Sequence, residues 1–265
     1  MTRLAGTARA KKWGAGIAGV LIALAAWQVL TKTKVLDPIA VPTATSALST
    51  LWTALGTSHL WTGVGQTMQG TAIGFGIGVV LGVGIGVLIG LSDVAYRSTF
   101  LTIEFLKTIP VIAVLPLAVL LYGTTLKMKV LLVTFGVFFP MVIQTSYGVR
   151  SVDPVVGDTA QAFGVARFYR FFSVTLPSAA PFIATGMRIA AAAALLLDVL
   201  AEIVAGGSGL GLQILQGQAG GDIAYTYALI VLVGIIGVIL VLSITAIERR
   251  LMHWHELYRH EGPST

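Results

Sequence analysis

The chain has 265 residues, of which 56% are hydrophobic and only 11% are charged. A soluble domain usually carries about a quarter charged residues, so lipid must cover most of this protein. The composition predicts an integral membrane protein of one domain, and its long apolar runs favour helices over a β-barrel. The net charge of +6 sits beside apolar segments, which indicates topology and lipid headgroups rather than nucleic acid. There is no cysteine, which excludes disulfides and cysteine-bound metal.

Six apolar segments are long enough to cross a bilayer, which predicts an all-α fold with six transmembrane helices. The predicted spans are residues 13–30, 67–91, 100–122, 130–146, 179–204 and 225–247. The connections at 92–99 and 205–223 are predicted to be loops, because one is polar and the other is rich in glycine. The first span follows a basic stretch without a clear cleavage site, so we interpret it as a retained helix.

Two further features interrupt this pattern. An amphipathic helix is predicted at about 43–57 on the outer surface, where apolar residues recur at helical spacing and Thr43 or Thr45 can act as the N-cap. In the third span, Pro110 and Pro116 are expected to bend or break the helix, because proline removes a backbone donor and clashes with the preceding turn.

The distribution of basic residues predicts the orientation. With the N-terminus inside, the cytoplasmic side carries Arg3, Arg9, Lys11, Lys12, Arg97, Arg150, Arg167, Arg170, Arg249, Arg250 and Arg259. The outer side carries Lys32, Lys34, Lys127 and Lys129. The positive-inside rule therefore predicts a cytoplasmic N-terminus (1–12), a permease domain (13–250) and a cytoplasmic tail (251–265).

A run of glycines at every fourth position marks the second span. The six residues, called the glycine face below, are Gly70, Gly74, Gly78, Gly82, Gly86 and Gly90. Small residues in register let another helix backbone approach closely in lipid. The pattern predicts tight helix packing and says nothing of substrate binding.

Ionisable residues inside the spans are the second unusual feature. Asp198 and Glu202 share one face of the fifth span, which also carries Arg188. Such residues usually face a cavity or a charged partner. Three interpretations remain open: pairing with Lys127 or with Arg188 of a second copy, lining of a translocation path, or a proton relay. The relay would suit an ion-coupled secondary transporter, which is the alternative function.

Other catalytic or binding sites find little support. No Gly-Lys dipeptide occurs, so the chain has no phosphate-binding P-loop. His253, His255 and His260 lie in the polar tail and are interpreted as solvated residues rather than metal ligands. No catalytic set shares one side of the membrane, and we expect no enzyme activity in this chain.

A polar segment, residues 150–178, separates the fourth and fifth spans. Its notable residues are Asp158, Ala160, Gly164, Arg167, Arg170, Leu176 and Pro177. Gly164 permits a sharp change of direction between two short helices, and Pro177 can end or restart a helix. The shape suits a projection that docks in a partner protein.

The spacing in this segment resembles the cytoplasmic signature of ABC importer permeases. That signature reads Glu-Ala-Ala, three residues, Gly, nine residues, Ile, one residue, Leu-Pro. The sequence has Asp158-Thr159-Ala160, Gly164, Val174 and Leu176-Pro177 in the same frame. Further pieces resemble the nitrate, sulfonate, taurine and bicarbonate branch, namely Val41-Pro42-Thr43, the stretch 109–117, Gly186-Met187-Arg188, Ala201-Glu202 and Ser208-Gly209-Leu210-Gly211.

The resemblance implies a permease with the type I ABC importer fold in a bacterial inner membrane. It implies a homodimer of permeases, two cytoplasmic ATPase subunits that hold ATP and magnesium, and an external binding protein. The polar segment would be the coupling helix, and we call residues 150–178 the coupling segment. The implied solute is a small organic or inorganic anion of the sulfonate or nitrate type.

Overall fold

The computed structural model describes the backbone of residues 2–251 and the side chains of residues 16 and 18–250. The predicted tail with His253, His255 and His260 lies outside these residues, as do the side chains of segment 1–12.

Every regular element in this part of the chain is a helix. The α-helices are α1 (Thr2–Lys32), α2 (Ala44–Ala54), α3 (Ser58–Gly90), α4 (Asp93–Leu106), α5 (Leu115–Tyr122), α6 (Leu126–Arg150), α7 (Pro154–Ala162), α8 (Arg167–Arg170), α9 (Leu176–Ala205), α10 (Leu210–Ala219) and α11 (Ile223–Leu251). A 3₁₀ helix, Val111–Val114, precedes α5, and a π-helix, Phe171–Thr175, joins α8 to α9.

Three helices in the described residues are long and apolar enough to cross a membrane unbroken, namely α3, α6 and the Ile223–Arg250 part of α11. Two bent pairs bring the number to as many as five: α4 with Val111–Tyr122, bent by 80°, and Arg167–Ala205 with α10, bent by 44°. Ala18–Lys32 of α1 is a shorter apolar helix. The six predicted spans thus correspond to three continuous helices, two bent pairs and one shorter helix.

The predicted loop at 92–99 is wrong, because α4 begins at Asp93 rather than near Phe100. The Ser92 hydroxyl accepts a hydrogen bond from the Ala95 N–H at 3.2 Å and caps the helix. Asp93 then lies in the first turn, where a negative charge stabilises a helix. The polar residues that suggested a loop are the start signal of a helix.

The predicted loop at 205–223 is also wrong, since most of it forms α10. Gly206, with φ 73°, ends α9, and the turn that follows leads directly into the new helix. Leu210 and Ile214 are buried on one face of that helix. The helical spacing of these two apolar residues was missed, because the glycines and glutamines around them favoured a loop.

The chain forms two compact units. The first runs from the N-terminus to Trp61 and adds Gln213–Leu232. In it the Thr43 hydroxyl accepts the Ser46 N–H at 3.3 Å, so the predicted cap of α2 is confirmed at Thr43. The Trp27 indole N–H donates to the Pro42 carbonyl at 3.0 Å and ties α1 to the segment before α2.

The second unit comprises Thr62–Leu212 and continues from Val233. Its core forms where α6 packs along α9, with Val133, Val137 and Met141 of α6 against Ala190 and Ala194 of α9. Partly buried side chains of α3 complete this cluster. The small alanines let the two helices lie close together, as is usual for helices packed in lipid.

Candidate functional site

The glycine face of α3 lies largely against α6. A Cβ built on Gly78 would lie 2.7 Å from the Val137 Cβ, a distance that real Cβ atoms essentially never show. The α6 residues that Gly74, Gly78, Gly82, Gly86 and Gly90 meet are Val133, Val137, Met141, Thr145 and Val149, in that order. Both helices therefore contribute every fourth residue to one straight line of contact.

Gly65, Gly76 and Gly84 of α3 fall outside this register and have no such neighbour. A Cβ on Gly76 or on Gly84 would meet nothing within 4 Å. The difference shows that position on the helix, rather than glycine content, decides where α6 can approach.

Near the other end of the same contact, three ionisable side chains form what we call the buried charge cluster: Lys129 of α6 with Asp198 and Glu202 of α9. The Lys129 Nζ donates to Glu202 Oε1 at 2.6 Å and lies 3.8 Å from Asp198 Oδ1. The Thr67 hydroxyl donates to Glu202 Oε2 at 2.9 Å, and the Thr71 hydroxyl donates to Asp198 Oδ2 at 2.8 Å. Both carboxylates are fully buried and Lys129 is only 2% exposed.

The cluster also holds the turn between α9 and α10. Lys129 donates to the Ser208 carbonyl at 2.8 Å, and Glu202 Oε2 accepts the Gly211 N–H at 2.8 Å. A Cβ on Gly209 would overlap the Glu202 carboxylate, and one on Gly211 would lie 2.6 Å from the Glu202 Cβ. Gly209 therefore leaves room for the Glu202 carboxylate, and Gly211 lets the start of α10 approach the backbone of α9, where a built Cβ would overlap the Val199 carbonyl oxygen.

The two acids are paired within this chain, but not with Lys127, which was one of the predicted partners. Lys127 is exposed, and Arg188 donates to Glu248 of α11 within the same chain. The partner is Lys129, which the charge distribution assigned to the outer solvent. Helical phase could have found it, because Lys129 lies four residues before Val133 on the same buried face of α6.

The chemistry of the cluster is that of an internal ion-pair network. Burial of both carboxylates leaves no surface of either one open to a path in this structure. Glu202 accepts hydrogen bonds from three groups: the Lys129 ammonium, the Thr67 hydroxyl and the Gly211 N–H. Asp198 Oδ1 has no hydrogen-bond partner among the described residues and faces Lys129. This arrangement does not favour the ion-coupled carrier.

The coupling segment forms two short helices with a turn between them. Asp153 caps α7 by accepting the Val155 N–H at 2.8 Å. At its end the Val165 N–H donates to the Ala160 carbonyl at 3.0 Å, and the Gly164 N–H donates to the Gln161 carbonyl at 2.9 Å. These two hydrogen bonds, together with the left-handed backbone of Gly164 at φ 73°, form a Schellman motif.

The residues that the sequence predicts for coupling are spread along this segment. Asp158 and Ala160 lie on α7, Arg167 and Arg170 begin and end α8, and Leu176 and Pro177 begin α9. The structure brings Arg170 to Gln161, with 3.3 Å from Nη1 to Oε1. α7 and α8 contain no buried residue.

Large aromatic side chains are exposed on this segment. Phe163 is 83% exposed, Phe168 77% and Tyr169 66%. Contiguous exposed apolar surface usually marks a site of interaction. The sequence pattern had indicated the charged residues and the glycine of this segment. The structure adds an exposed aromatic surface on which a partner protein could bind.

Comparison with known proteins identifies the family. The family model of the binding-protein-dependent transport system inner membrane component matches residues 74–253. The chain belongs to this family. It is 30% identical over 251 residues to the aliphatic sulfonates transport permease protein SsuC of Escherichia coli (strain K12), covering 94% of this chain and 95% of that one. It is 29% identical over 247 residues to the taurine transport system permease protein TauC of the same organism, covering 90% and 89%.

The fold is shared with a solved transporter. The protein superimposes on a chain of the MetNI methionine ABC transporter in an inward-facing conformation with a TM-score of 0.60, covering 74% of this chain and 95% of that one. The identity of 23% makes this a likeness of fold alone. The protein is a permease subunit of an ABC importer with the type I fold, which confirms the family and fold predicted from the signature at Asp158–Pro177.

Proposed function

We propose that two copies of this permease form the translocation path, that two cytoplasmic ATPase subunits drive it, and that an external binding protein delivers the solute. ATP and magnesium would be held by the ATPase subunits and not by this chain. The observation that carries the proposal is the coupling segment. It combines the signature spacing with an exposed aromatic surface that the described part of the chain leaves uncovered.

The orientation supports a cytoplasmic coupling segment. Arg167 and Arg170 lie on it, and Arg249 and Arg250 end α11. Lys129 is buried in the second unit, so it no longer counts among the outer loop charges. The bias of basic residues toward the coupling side is therefore larger than the sequence count suggested, which supports cytoplasmic termini in a bacterial inner membrane.

The proposed solute is a small anion of the sulfonate or nitrate type. SsuC is named for aliphatic sulfonates and TauC for taurine, and each aligns with nearly the whole of this chain. We infer that this permease handles a related anion, with specificity shared with the external binding protein.

A substitution at Gly164 tests the coupling role. Its φ of 73° and the open space around it mean that a Trp side chain would strain the turn and cover the docking surface, while the spanning helices stay intact. We expect Gly164→Trp to insert normally and to lose about tenfold in co-purification with the co-expressed ATPase subunit of its transport system.

Gly221 provides the matched control. It has φ 74°, nothing within 4 Å of a built Cβ, and a place in the turn before α11, outside residues 150–178. Gly221→Trp should therefore carry the same backbone strain and retain the ATPase. Equal retention by both variants, or equal loss, contradicts a coupling role for residues 150–178.

A further inference from the structure

A cavity of about 330 Å³ opens where two spanning elements are irregular. It is lined by Lys107, Phe135, Phe139, Pro140, Gln144 and Ile189, among others. Lys107 is the C-cap residue of α4, at the break where the bent pair turns by 80°, and Pro140 interrupts the hydrogen bonding of α6. The cavity thus belongs to the second unit and is built from the break that follows α4, from α6 and from α9.

Irregular backbone at membrane depth is stable only where protein covers it or where it lines a space that water or a polar ligand can enter. Pro140 has no N–H to donate to the Gly136 carbonyl four residues earlier, and Gly136 is itself part of the cavity wall. Pro140 therefore leaves the Gly136 carbonyl without its usual helical donor at the wall of this cavity, beside the break after α4. Broken helices of this kind are a common way of building solute sites in transporters.

Two side chains give the cavity its polar character. Lys107 pairs with Glu104 at 2.6 Å from Nζ to Oε2, but the two side chains are 41% and 31% exposed. An ion pair as exposed as this one contributes little to stability, so Lys107 can leave Glu104 for an anionic ligand at little cost. Gln144 packs at its base against Gly186 of α9, where a built Cβ would lie 3.0 Å from the Gln144 Cβ. Its amide carries two N–H donors.

The rest of the wall is apolar and rigid. Phe135 and Phe139 contact each other edge to face, with 5.1 Å between ring centroids. Ile189 adds a branched aliphatic surface from α9. A strongly hydrated inorganic ion gains nothing from such a wall, whereas an alkyl chain does.

We propose that this cavity is a passage site for a small organic anion that carries an alkyl chain. The anionic head binds Lys107 and Gln144, and the chain lies on Phe135, Phe139 and Ile189. Glu104 holds the ammonium of Lys107 when the site is empty and gives it up to the anion. The inference rests on the proposed transport function and narrows its substrate class from any small anion to an alkylated one.

The chain-length dependence of binding tests the apolar wall. Each methylene that is buried favours binding by about fourfold, so butanesulfonate should bind at least about tenfold more tightly than methanesulfonate. Nitrate and butylammonium should not compete. Saturation-transfer NMR on the purified full-length permease in lipid nanodiscs detects weak binding of this kind. Equal affinity along the sulfonate series, or competition by butylammonium, overturns the proposal.

Two variants with opposite expected effects test the polar end. Lys107→Met should weaken binding of butanesulfonate by more than about tenfold, because it removes a charge-assisted hydrogen bond. Glu104→Gln should tighten it several-fold, because the competing carboxylate is gone. Lys127→Met is the matched control, since Lys127 is an exposed lysine that is no part of this cavity. A loss of affinity in Glu104→Gln would overturn the exchange, and this variant remains informative if Lys107→Met fails to fold.

Transport separates this inference from the function on which it rests. Proteoliposomes that contain the permease, its ATPase and its binding protein should take up butanesulfonate only with ATP. Uptake by the wild type that is unchanged in Lys107→Met overturns the cavity and leaves the function standing. Absence of any ATP-driven uptake, with nanodisc binding intact, overturns the function instead.

Discussion

Removal of Lys129 is the sharpest test of the buried charge cluster. Lys129→Met keeps the length and apolar stem of the side chain and deletes its ammonium. Glu202 and Asp198, both fully buried, then lose their counter-charge. The Ser208 carbonyl also loses its donor at 2.8 Å, which releases the turn between α9 and α10.

The expected cost follows from burial. Removing one partner of a buried ion pair costs about 3–5 kcal/mol, because the remaining charge is left uncompensated in a medium of low dielectric. Thr67 and the Gly211 N–H still bind Glu202 and soften the loss, so the lower half of that range is expected. Glu202→Gln in the same chain removes the stranded charge and keeps the shape. The double variant should therefore recover at least about half of the lost stability.

Equilibrium unfolding in mixed micelles, followed by circular dichroism, measures these differences in the free energy of unfolding. Lys127→Met is the matched control, because Lys127 is exposed two residues away on the same helix and should change stability by less than about 0.5 kcal/mol. The reasoning is refuted if Lys129→Met is as stable as Lys127→Met. It is also refuted if Glu202→Gln gives no recovery in the Lys129→Met chain.

Two further predictions use the same assay. Gly78→Ala should cost about 1–3 kcal/mol of stability, since its new Cβ would lie 2.7 Å from the Val137 Cβ of α6. Gly76→Ala is the control and should be neutral, because there is open space around Gly76. Equal effects of the two variants would mean that α6 does not cover the glycine face. Arg188→Met should cost about 1–3 kcal/mol, because it removes the guanidinium that donates to Glu248, whose side chain is 5% exposed. Exchange of the two residues, Arg188→Glu with Glu248→Arg, should restore part of the loss, and a double variant no better than Arg188→Met would show that the pair is not what holds α9 to α11.

The sequence was informative where one local rule decides the structure. The Thr43 cap and the breaks caused by Pro110 needed only a hydroxyl or a missing N–H, and both were predictable. The starts of α4 and α10 were missed, because polar or glycine-rich composition outweighed a capping serine and a short apolar spacing. Composition reports on the average of a segment, whereas a helix can begin at a single residue.

The buried charge cluster shows the limit of counting charges. Lys127 and Lys129 both border the fourth span, and the positive-inside count treats them alike. Residues two positions apart on a helix are rotated by about 200° around its axis, so Lys127 faces outward and Lys129 faces the core. The phase of α6 could be read from Val133, Val137 and Met141, and Lys129 continues that series. What no pattern in a single helix could reveal is that α9 would bring Asp198 and Glu202 to the same place.

The glycine face and the charge cluster are parts of one contact. Five glycines of α3 each meet a side chain of α6, at successive positions four residues apart. Continuing that register by one step pairs Gly70 with the level of Lys129. There the space beside the glycine holds the Asp198 carboxylate, with Oδ2 2.7 Å from a built Cβ. Gly70 is therefore glycine for a different reason from the other five. The five allow α6 to approach closely, whereas Gly70 leaves room for the Asp198 carboxylate. The regular spacing in the sequence joins two requirements, close packing along most of α3 and room for a buried acid at one end.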